Sequence, residues 1–434
     1  ITPPVLGAAA FLMVEFLNVS YQTIIAAAIV PAFMHFFGVF MQVHFEAKRY
    51  GLRGLTEEEM PKLRESFRQR WPTLIPLALL IAILVSGRTP YLAAFTGITS
   101  CMIVGLSTTV WGNRSTNWLM LVVLHVLLAL VAFVDWGSDG EAIKLGFLAL
   151  GIALIWAGQK WLGLVGRIDN AVLLEAFETG AKYALAVGAA AATVGIVIGV
   201  VTLTGVGFKI SFIITGWAQM ISAFLMDWLP AFMADSKSLT LLAALFMTGI
   251  VCILMGCGIP TTANYIILVT VAARTLVQLG VEPLVAHFFV FYYGVLADIT
   301  PPVALAAYAA AGMAGGDPFK TGNMAFRLGL AKVLVPFVFV FSPSLLLVAK
   351  GFTWADFAIT FTGCVLGIVA LAAALSGYLL TVMKGWERAL CAIGALCLIA
   401  PGLKISLLGV AIMIPVLVHQ WMHRDRGTPL SVQS

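Results

Sequence analysis

The sequence predicts an all-α polytopic membrane protein with an internal repeat, a re-entrant helical hairpin and broken helices. Three observations point there: an extreme apolar composition, a pentapeptide that occurs twice, and a glycine-rich stretch between apolar arms.

Hydrophobic residues make up 61% of the 434-residue chain and charged residues only 10%, with a mean hydropathy of +1.02. No soluble domain of this size hides so much apolar surface. The formal charge of +5 sits mostly in loops and the tail, where it anchors cytoplasmic segments, and implies no nucleic-acid partner. The six cysteines, Cys101, Cys252, Cys257, Cys364, Cys391 and Cys397, lie scattered in apolar segments without metal-ligand spacing, so neither a disulfide framework nor a zinc site is indicated.

The repeated pentapeptide is Ile1-Thr-Pro-Pro-Val5, which returns letter for letter at Ile299-Thr-Pro-Pro-Val303. Each copy leads into an apolar helix and then a further span, the trace of an internal duplication that commonly takes the inverted form. Thr-Pro-Pro at membrane depth breaks a helix, because proline lacks the N–H and disfavours helical geometry in the residue before it. The chain opens inside this motif with no initiator Met. The expectation is that residue 1 is not the natural start and that an upstream half, with its own hairpin, precedes it.

The third observation is Gly256-Cys-Gly-Ile-Pro-Thr-Thr-Ala-Asn264 between the apolar arms Leu241–Met255 and Tyr265–Leu279. Each arm falls short of the roughly 20 residues a spanning helix needs, so the pair reads as a hairpin that turns back inside the membrane. A loop between tilted spans, or a kinked helix, is the structural alternative. At the tip, Gly256 and Gly258 permit unusual backbone, Pro260 stops a helix, and Thr261, Thr262 and Asn264 supply short oxygens. Irregular backbone at that depth survives only where protein or a water-filled cavity covers it, so such a tip lines a site.

In order, residues 1–43 hold the end of a first inverted repeat, with a span from Tyr21 to Val43. Residues 44–72 form the longest polar loop, rich in Lys and Arg and therefore cytoplasmic. Residues 73–167 carry scaffold spans. Residues 168–183, with Asp169, Glu175 and Glu178 among apolar residues, form an amphipathic arm along the interface. The second repeat covers 184–348, with hairpin 241–279, broken helix 284–314 and a span from Leu328 to Val348. Residues 349–434 add accessory helices, Phe357–Leu380 and Leu390–Gln420, and a basic tail expected on the cytoplasmic side.

Asp298 stands immediately before the second Thr-Pro-Pro. An intramembrane carboxylate marks a functional site by default: it holds a cation, relays a proton, or caps a helix restarting at Pro301. Glu15 follows the first repeat and is read as approaching the interface near Asn18. Arg274, on the second arm, is read as snorkelling to the surface rather than attracting an anion. His287, Tyr292 and Tyr293 are read as packing residues. The chain has no His-Glu-x-x-His, no Gly-x-Ser-x-Gly and no Walker-type loop, which leaves enzyme readings without a motif. Ala314-Gly-Gly-Asp317 is only a partial match to the glycine–aspartate motif of intramembrane aspartyl proteases.

Taken together, Gly256-Cys-Gly-Ile-Pro-Thr-Thr-Ala-Asn-Tyr-Ile-Ile267, Ala286-His-Phe-Phe-Val-Phe-Tyr-Tyr-Gly294 and Ala297-Asp-Ile-Thr-Pro-Pro-Val-Ala-Leu-Ala-Ala-Tyr308 closely resemble the large permease of tripartite ATP-independent periplasmic (TRAP) transporters. The likeness is to the TAXI branch, in which small and large membrane subunits are fused. Asp317-Pro-Phe-Lys-Thr-Gly322 and the Gly199-Val-Val-Thr-Leu203 core fit the same branch. Two departures stand out: the family usually has Met where Cys257 stands and Pro where Arg274 stands. The resemblance implies a bacterial inner-membrane secondary transporter that is sodium-coupled and has no organic cofactor. It would take an organic acid from a periplasmic TAXI-type binding protein, by an elevator motion of hairpins and broken helices past a scaffold. The small permease subunit would be fused or upstream. It further implies a sodium site of mainly backbone carbonyls at Gly256 or Gly258, Ala297, Thr300 and Val303, with the Thr300 hydroxyl, and a remnant first site at Thr2 and Val5. Thr261, Thr262, Asn264 and Pro260 are the expected substrate or tip contacts. A sodium–dicarboxylate symporter without a binding protein, and a non-transporting membrane scaffold subunit, are the competing readings.

Overall fold

The computed structural model describes residues 2, 7–52, 54–56, 58–60, 62–107, 114–133, 146–147, 149–151, 153–154, 157, 170–227, 236–257, 259, 261–400 and 402–423. Among these there is no strand, only helices and one isolated bridge between Tyr378 and Val382. Among the described residues six helices are long and apolar enough to cross a membrane: Tyr21–Tyr50, Val206–Met226, Ser236–Gly256, Pro318–Phe341, Trp354–Ser376 and Leu403–Met422. The chain is therefore an all-α polytopic membrane protein, since a helix pairs most of its backbone polar groups within itself.

The chain divides into two compact units. One comprises residues 20–22 and 55–189. Taking helices in chain order, α1 is Ala8–Leu17 and α2 is Tyr21–Tyr50, and the unit then holds α3 (Leu63–Arg70), α4 (Ile75–Val85), α5 (Pro90–Ser107) and α6 (Arg114–Phe133). Its core is Ile103, Val104, Leu121, Leu124 and Leu128, with Ile75 and Leu79 packed against them.

The other unit, residues 1–19, 23–54 and 190–434, contains every element of the candidate site. After α7 (Asn170–Thr204) come α8 (Val206–Met226) and α9 (Ser236–Gly256), a short turn, and α10 (Thr261–Leu268). A π turn at Val269–Ala273 carries the chain into α11 (Arg274–Gln278). Next come α12 (Pro283–Leu296) and α13 (Leu305–Ala314), then α14 (Pro318–Gly329) and α15 (Val335–Phe341), joined by a 3-10 segment at Leu330–Leu334. The last three helices are α16 (Trp354–Ser376), α17 (Gly385–Ile399) and α18 (Leu403–Met422). They approach closely: a Cβ on Gly363 would sit 2.6 Å from the Leu398 carbonyl. One cluster, Phe45, Ala331, Ala372, Ala373, Met383, Cys391 and Val416, joins these helices to α2 and the 3-10 segment.

Several element boundaries differ from those read in the sequence. The first hairpin arm starts at Ser236, not Leu241, and its 21 residues meet the length needed to cross; the reading of both arms as too short fails for this one. The span α8 was not anticipated: Lys209 and the Gly205–Gly207 pair interrupt its apolar pattern. The amphipathic arm and the span after it form one helix, α7, because the junction offers no breaker. The stretch 390–420 is two helices, parted at Ala400–Gly402, where Gly402 takes a φ of 104°. The span placed at 328–348 begins at Pro318 and ends at Phe341, and α2 continues past Val43 to Tyr50.

Candidate functional site

The site is built where the hairpin tip meets the break between α12 and α13. Helix α12 ends at Leu296 and tightens into a 3-10 turn over Ala297–Ile299. Regular helix resumes only at Leu305, since Pro301 and Pro302 supply no N–H and Ala304 is held in the left-handed region at φ 34°. Local bonds close the gap. Thr300 N donates to the Ala297 carbonyl at 3.1 Å, Ala304 N to the Thr300 carbonyl at 3.1 Å, and the Tyr308 hydroxyl to the Pro302 carbonyl at 2.6 Å.

Against this break lies Gly256, the last residue of α9. A Cβ there would stand 2.7 Å from Asn264 Nδ2, 2.8 Å from Ala297 Cβ and 3.0 Å from the Gly294 carbonyl oxygen. Only glycine admits so close an approach of hairpin and broken helix. Gly294 serves the facing side, where a Cβ would stand 2.8 Å from Leu268 Cδ1 and 2.9 Å from Asn264 Nδ2.

Asn264 fills the space these glycines leave. It is 2% exposed, and its Nδ2 donates to the Gly294 carbonyl at 3.1 Å. A carbonyl can only accept, so the amide nitrogen must face it and Oδ1 turns the other way. Among the described residues that oxygen is buried without a partner. Such an orphan costs about 1–3 kcal/mol unless a water or ligand satisfies it.

Asp298 apart, the oxygens that these residues offer are neutral. They are Asn264 Oδ1, the Gly256 carbonyl with only a long 3.4 Å bond from Ile259 N, the Ala297 carbonyl, and Thr300 Oγ1, which donates to the Leu296 carbonyl at 2.7 Å and keeps lone pairs. Neutral hard oxygens suit a monovalent cation. Among the described residues no cluster of three His, Cys, Asp or Glu is set for a multivalent metal.

The tertiary structure thus joins Gly256, Asn264, Ala297 and, through the 3-10 turn, Thr300. Thr261 is exposed and Thr262 half-buried at the start of α10, and Val303 is half-buried in the break. Thr2 is exposed, while Gly258, Pro260 and Val5 lie outside the described residues. Asp298 is half-buried in the 3-10 turn and caps no helix: helix does not restart at Pro301, and the cap position of α13 is Ala304. Arg274 and Glu15 are exposed. Asp317 is the N-cap of α14, its carboxylate accepting from Lys320 N at 2.7 Å, a structural duty. His287 is more than packing: its Nδ1 lies 2.8 Å from the Tyr265 hydroxyl, with the Phe16 ring of α1 close to both. Gly294 was missed as a site residue, although a glycine after Tyr292 and Tyr293 is a visible signal of close backbone approach.

The family described as tripartite ATP-independent periplasmic transporter, DctM component, matches residues 1–354. No curated protein and no solved structure matches the chain.

Proposed function

Because the chain belongs to the DctM component family of the tripartite ATP-independent periplasmic transporters, we propose that it moves an organic acid into the cell with sodium as the coupling ion. Family membership makes it a membrane permease, not an enzyme, working with a periplasmic binding protein and a substrate. The finer assignments are ours: a carboxylate substrate, a TAXI-type binding protein, a small subunit fused or upstream, and the bacterial inner membrane with a cytoplasmic C-terminus.

One observation carries the sodium reading. A buried Asn264 oxygen, without a partner among the described residues, stands where Gly256 brings the hairpin against Ala297 of the broken helix. Asn264, Gly256, Ala297 and Thr300 would hold the ion, with Val303 completing the backbone set and Gly258 contributing from the tip. The bound ion would supply positive charge next to a carboxylate and tie the hairpin to the break. Thr261, Thr262 and Pro260 sit next to Asn264 in the chain and are the proposed substrate contacts, and Thr2 and Val5 belong to the equivalent first-repeat site. In an elevator motion, hairpin and broken helix would travel together, since Gly256 and Gly294 bring them into close contact.

The test is uptake of radiolabelled C4 and C5 carboxylates into proteoliposomes holding the full-length protein, with the binding protein outside and an imposed sodium or proton gradient. Uptake requiring both sodium and the binding protein, and lost in Thr300→Ala, is expected. Uptake without the binding protein would overturn the tripartite reading, and uptake indifferent to sodium would overturn the ion assignment.

A further inference from the structure

A second polar cluster lies inside the same unit, away from the hairpin tip. Lys332 sits in the 3-10 segment between α14 and α15, within a span, and is 6% exposed. Its Nζ lies 3.1 Å from His35 Nε2 of α2. His35 Nδ1 lies 3.1 Å from the Tyr292 hydroxyl of α12, and that hydroxyl donates to the Lys332 carbonyl at 3.1 Å. The three residues close a ring that starts and ends on Lys332.

With the Tyr292 hydroxyl donating to the Lys332 carbonyl, the ring has one polarity. The Lys332 carbonyl can only accept, so Tyr292 spends its single proton there, and Tyr292 Oη must then accept from His35 Nδ1–H. In neutral His35, Nε2 is therefore an acceptor facing Lys332 Nζ. Nζ meets it either as an amine or as an ammonium, and in the second case the extra proton is shared across 3.1 Å between two nitrogen bases. The ring has room for one added proton, and that junction is where it goes.

Among the described residues nothing near Lys332 offers it a fixed counterion. From α2 the neighbours are His35 and, further along, Glu46, which Arg327 of α14 holds at 3.3 Å. From α12 it is Tyr292, and from α16 it is Cys364, buried beside Tyr292. Helix α15 carries no titratable residue, and Asp298, in the 3-10 turn after α12, makes no ion pair with Lys332. A permanently charged lysine buried without a carboxylate is costly; a lysine that takes up and gives back a proton is not bound to carry that cost.

The place is as telling as the chemistry. Lys332 and His35 are 297 residues apart, the spacing that also separates Ala8 from Leu305 and Tyr21 from Pro318, the first residues of the repeat-equivalent helices. That separation is one residue short of the 298 between Ile1 and Ile299 of the two Ile-Thr-Pro-Pro-Val copies, so the two residues lie at neighbouring positions of the equivalent helices. Gly38, one turn beyond His35, lets the helices meet: a Cβ there would stand 3.2 Å from Lys332 Cβ and 3.3 Å from its Cα.

We propose that Lys332 and His35, closed into a ring by Tyr292, form a proton-binding site where the equivalent helices of the two repeats cross. Its consequence, that uptake responds to proton occupancy at this crossing, rests on the permease reading; the site itself does not.

The experiment follows lysine 15Nζ signals by NMR during a pH titration of the full-length protein in nanodiscs, with no substrate present. One signal, absent from both Lys332→Arg and Lys332→Met, is expected to exchange between amine and ammonium forms over a pH range distinct from that of the exposed lysines. In His35→Gln and in Tyr292→Phe that range should move by at least ten-fold in proton activity. The proposal is overturned by a Lys332 signal that titrates with the exposed lysines, or by one indifferent to both ring substitutions. If neither Lys332 variant folds, the shift of one buried lysine signal in His35→Gln and Tyr292→Phe decides alone. Loss of carboxylate uptake in wild type would count against the permease reading and leave this measurement intact.

Discussion

Replacing Gly256 with alanine is the most direct trial of the hairpin–break contact. The new methyl would stand 2.7 Å from Asn264 Nδ2, 2.8 Å from Ala297 Cβ and 3.0 Å from the Gly294 oxygen. The Asn264 amide can swing away, but only by giving up its bond to Gly294, and the Ala297 methyl, fixed to the backbone of a 3-10 turn, can give way only if that backbone shifts. Overpacking of this kind costs about 1–3 kcal/mol, and a lost buried bond adds about 1 kcal/mol. The expected destabilisation of Gly256→Ala is therefore roughly 2–4 kcal/mol. Reversible SDS-titration unfolding in mixed micelles reads it, with Gly195→Ala as the control. Gly195 has no atom within 4 Å of an added Cβ, so that exchange should be neutral or stabilising by up to about 1 kcal/mol. Adding Asn264→Ala to Gly256→Ala should recover part of the loss, a coupling of about 1 kcal/mol. A Gly256→Ala protein within about 0.5 kcal/mol of wild type, with unchanged sodium-dependent uptake, would refute the close contact and the site built on it.

Three further outcomes follow from the same structure. Thr300→Val keeps the side-chain shape but removes the donor to the Leu296 carbonyl; it should cost about 1 kcal/mol in unfolding and weaken sodium dependence of uptake by ten-fold or more. Asp317→Ala removes the α14 N-cap and should cost about 1 kcal/mol with uptake unchanged, whereas loss of a proteolytic activity on this exchange would revive the protease reading. Glu387 is fully buried at the start of α17 and accepts from Gln420 Nε2 at 2.7 Å and His419 Nδ1 at 2.8 Å. Glu387→Ala should cost about 3 kcal/mol, read as faster hydrogen exchange confined to α17 and α18; protection equal to wild type would show that the cluster does not hold them.

Much of the architecture was legible in the chain because hydrophobicity and prolines act locally. The broken helix follows from Thr300-Pro-Pro302, since no neighbour can restore the missing N–H groups. The hairpin turn follows from two glycines and a proline within five residues. Boundaries were less legible: the polar Ser236–Thr240 lead-in belongs to α9, and α8 hid behind a lysine and two glycines. Of the candidate residues, Gly256, Asn264 and Ala297 come together, while Asp298, the sharpest in sequence, has no partner among the described residues.

By itself, the sequence determined a membrane-spanning helical protein with a repeated Ile-Thr-Pro-Pro-Val breaker, because apolar length and a duplicated breaker are properties of a linear string. Only the tertiary structure decided which oxygens lack partners and which distant residues share a site. Asn264 turns its amide nitrogen to Gly294, thirty residues on, and Lys332 meets His35 across 297 residues. Such pairings depend on how helices cross, and a crossing is set by the packing of whole faces rather than by any residue read alone.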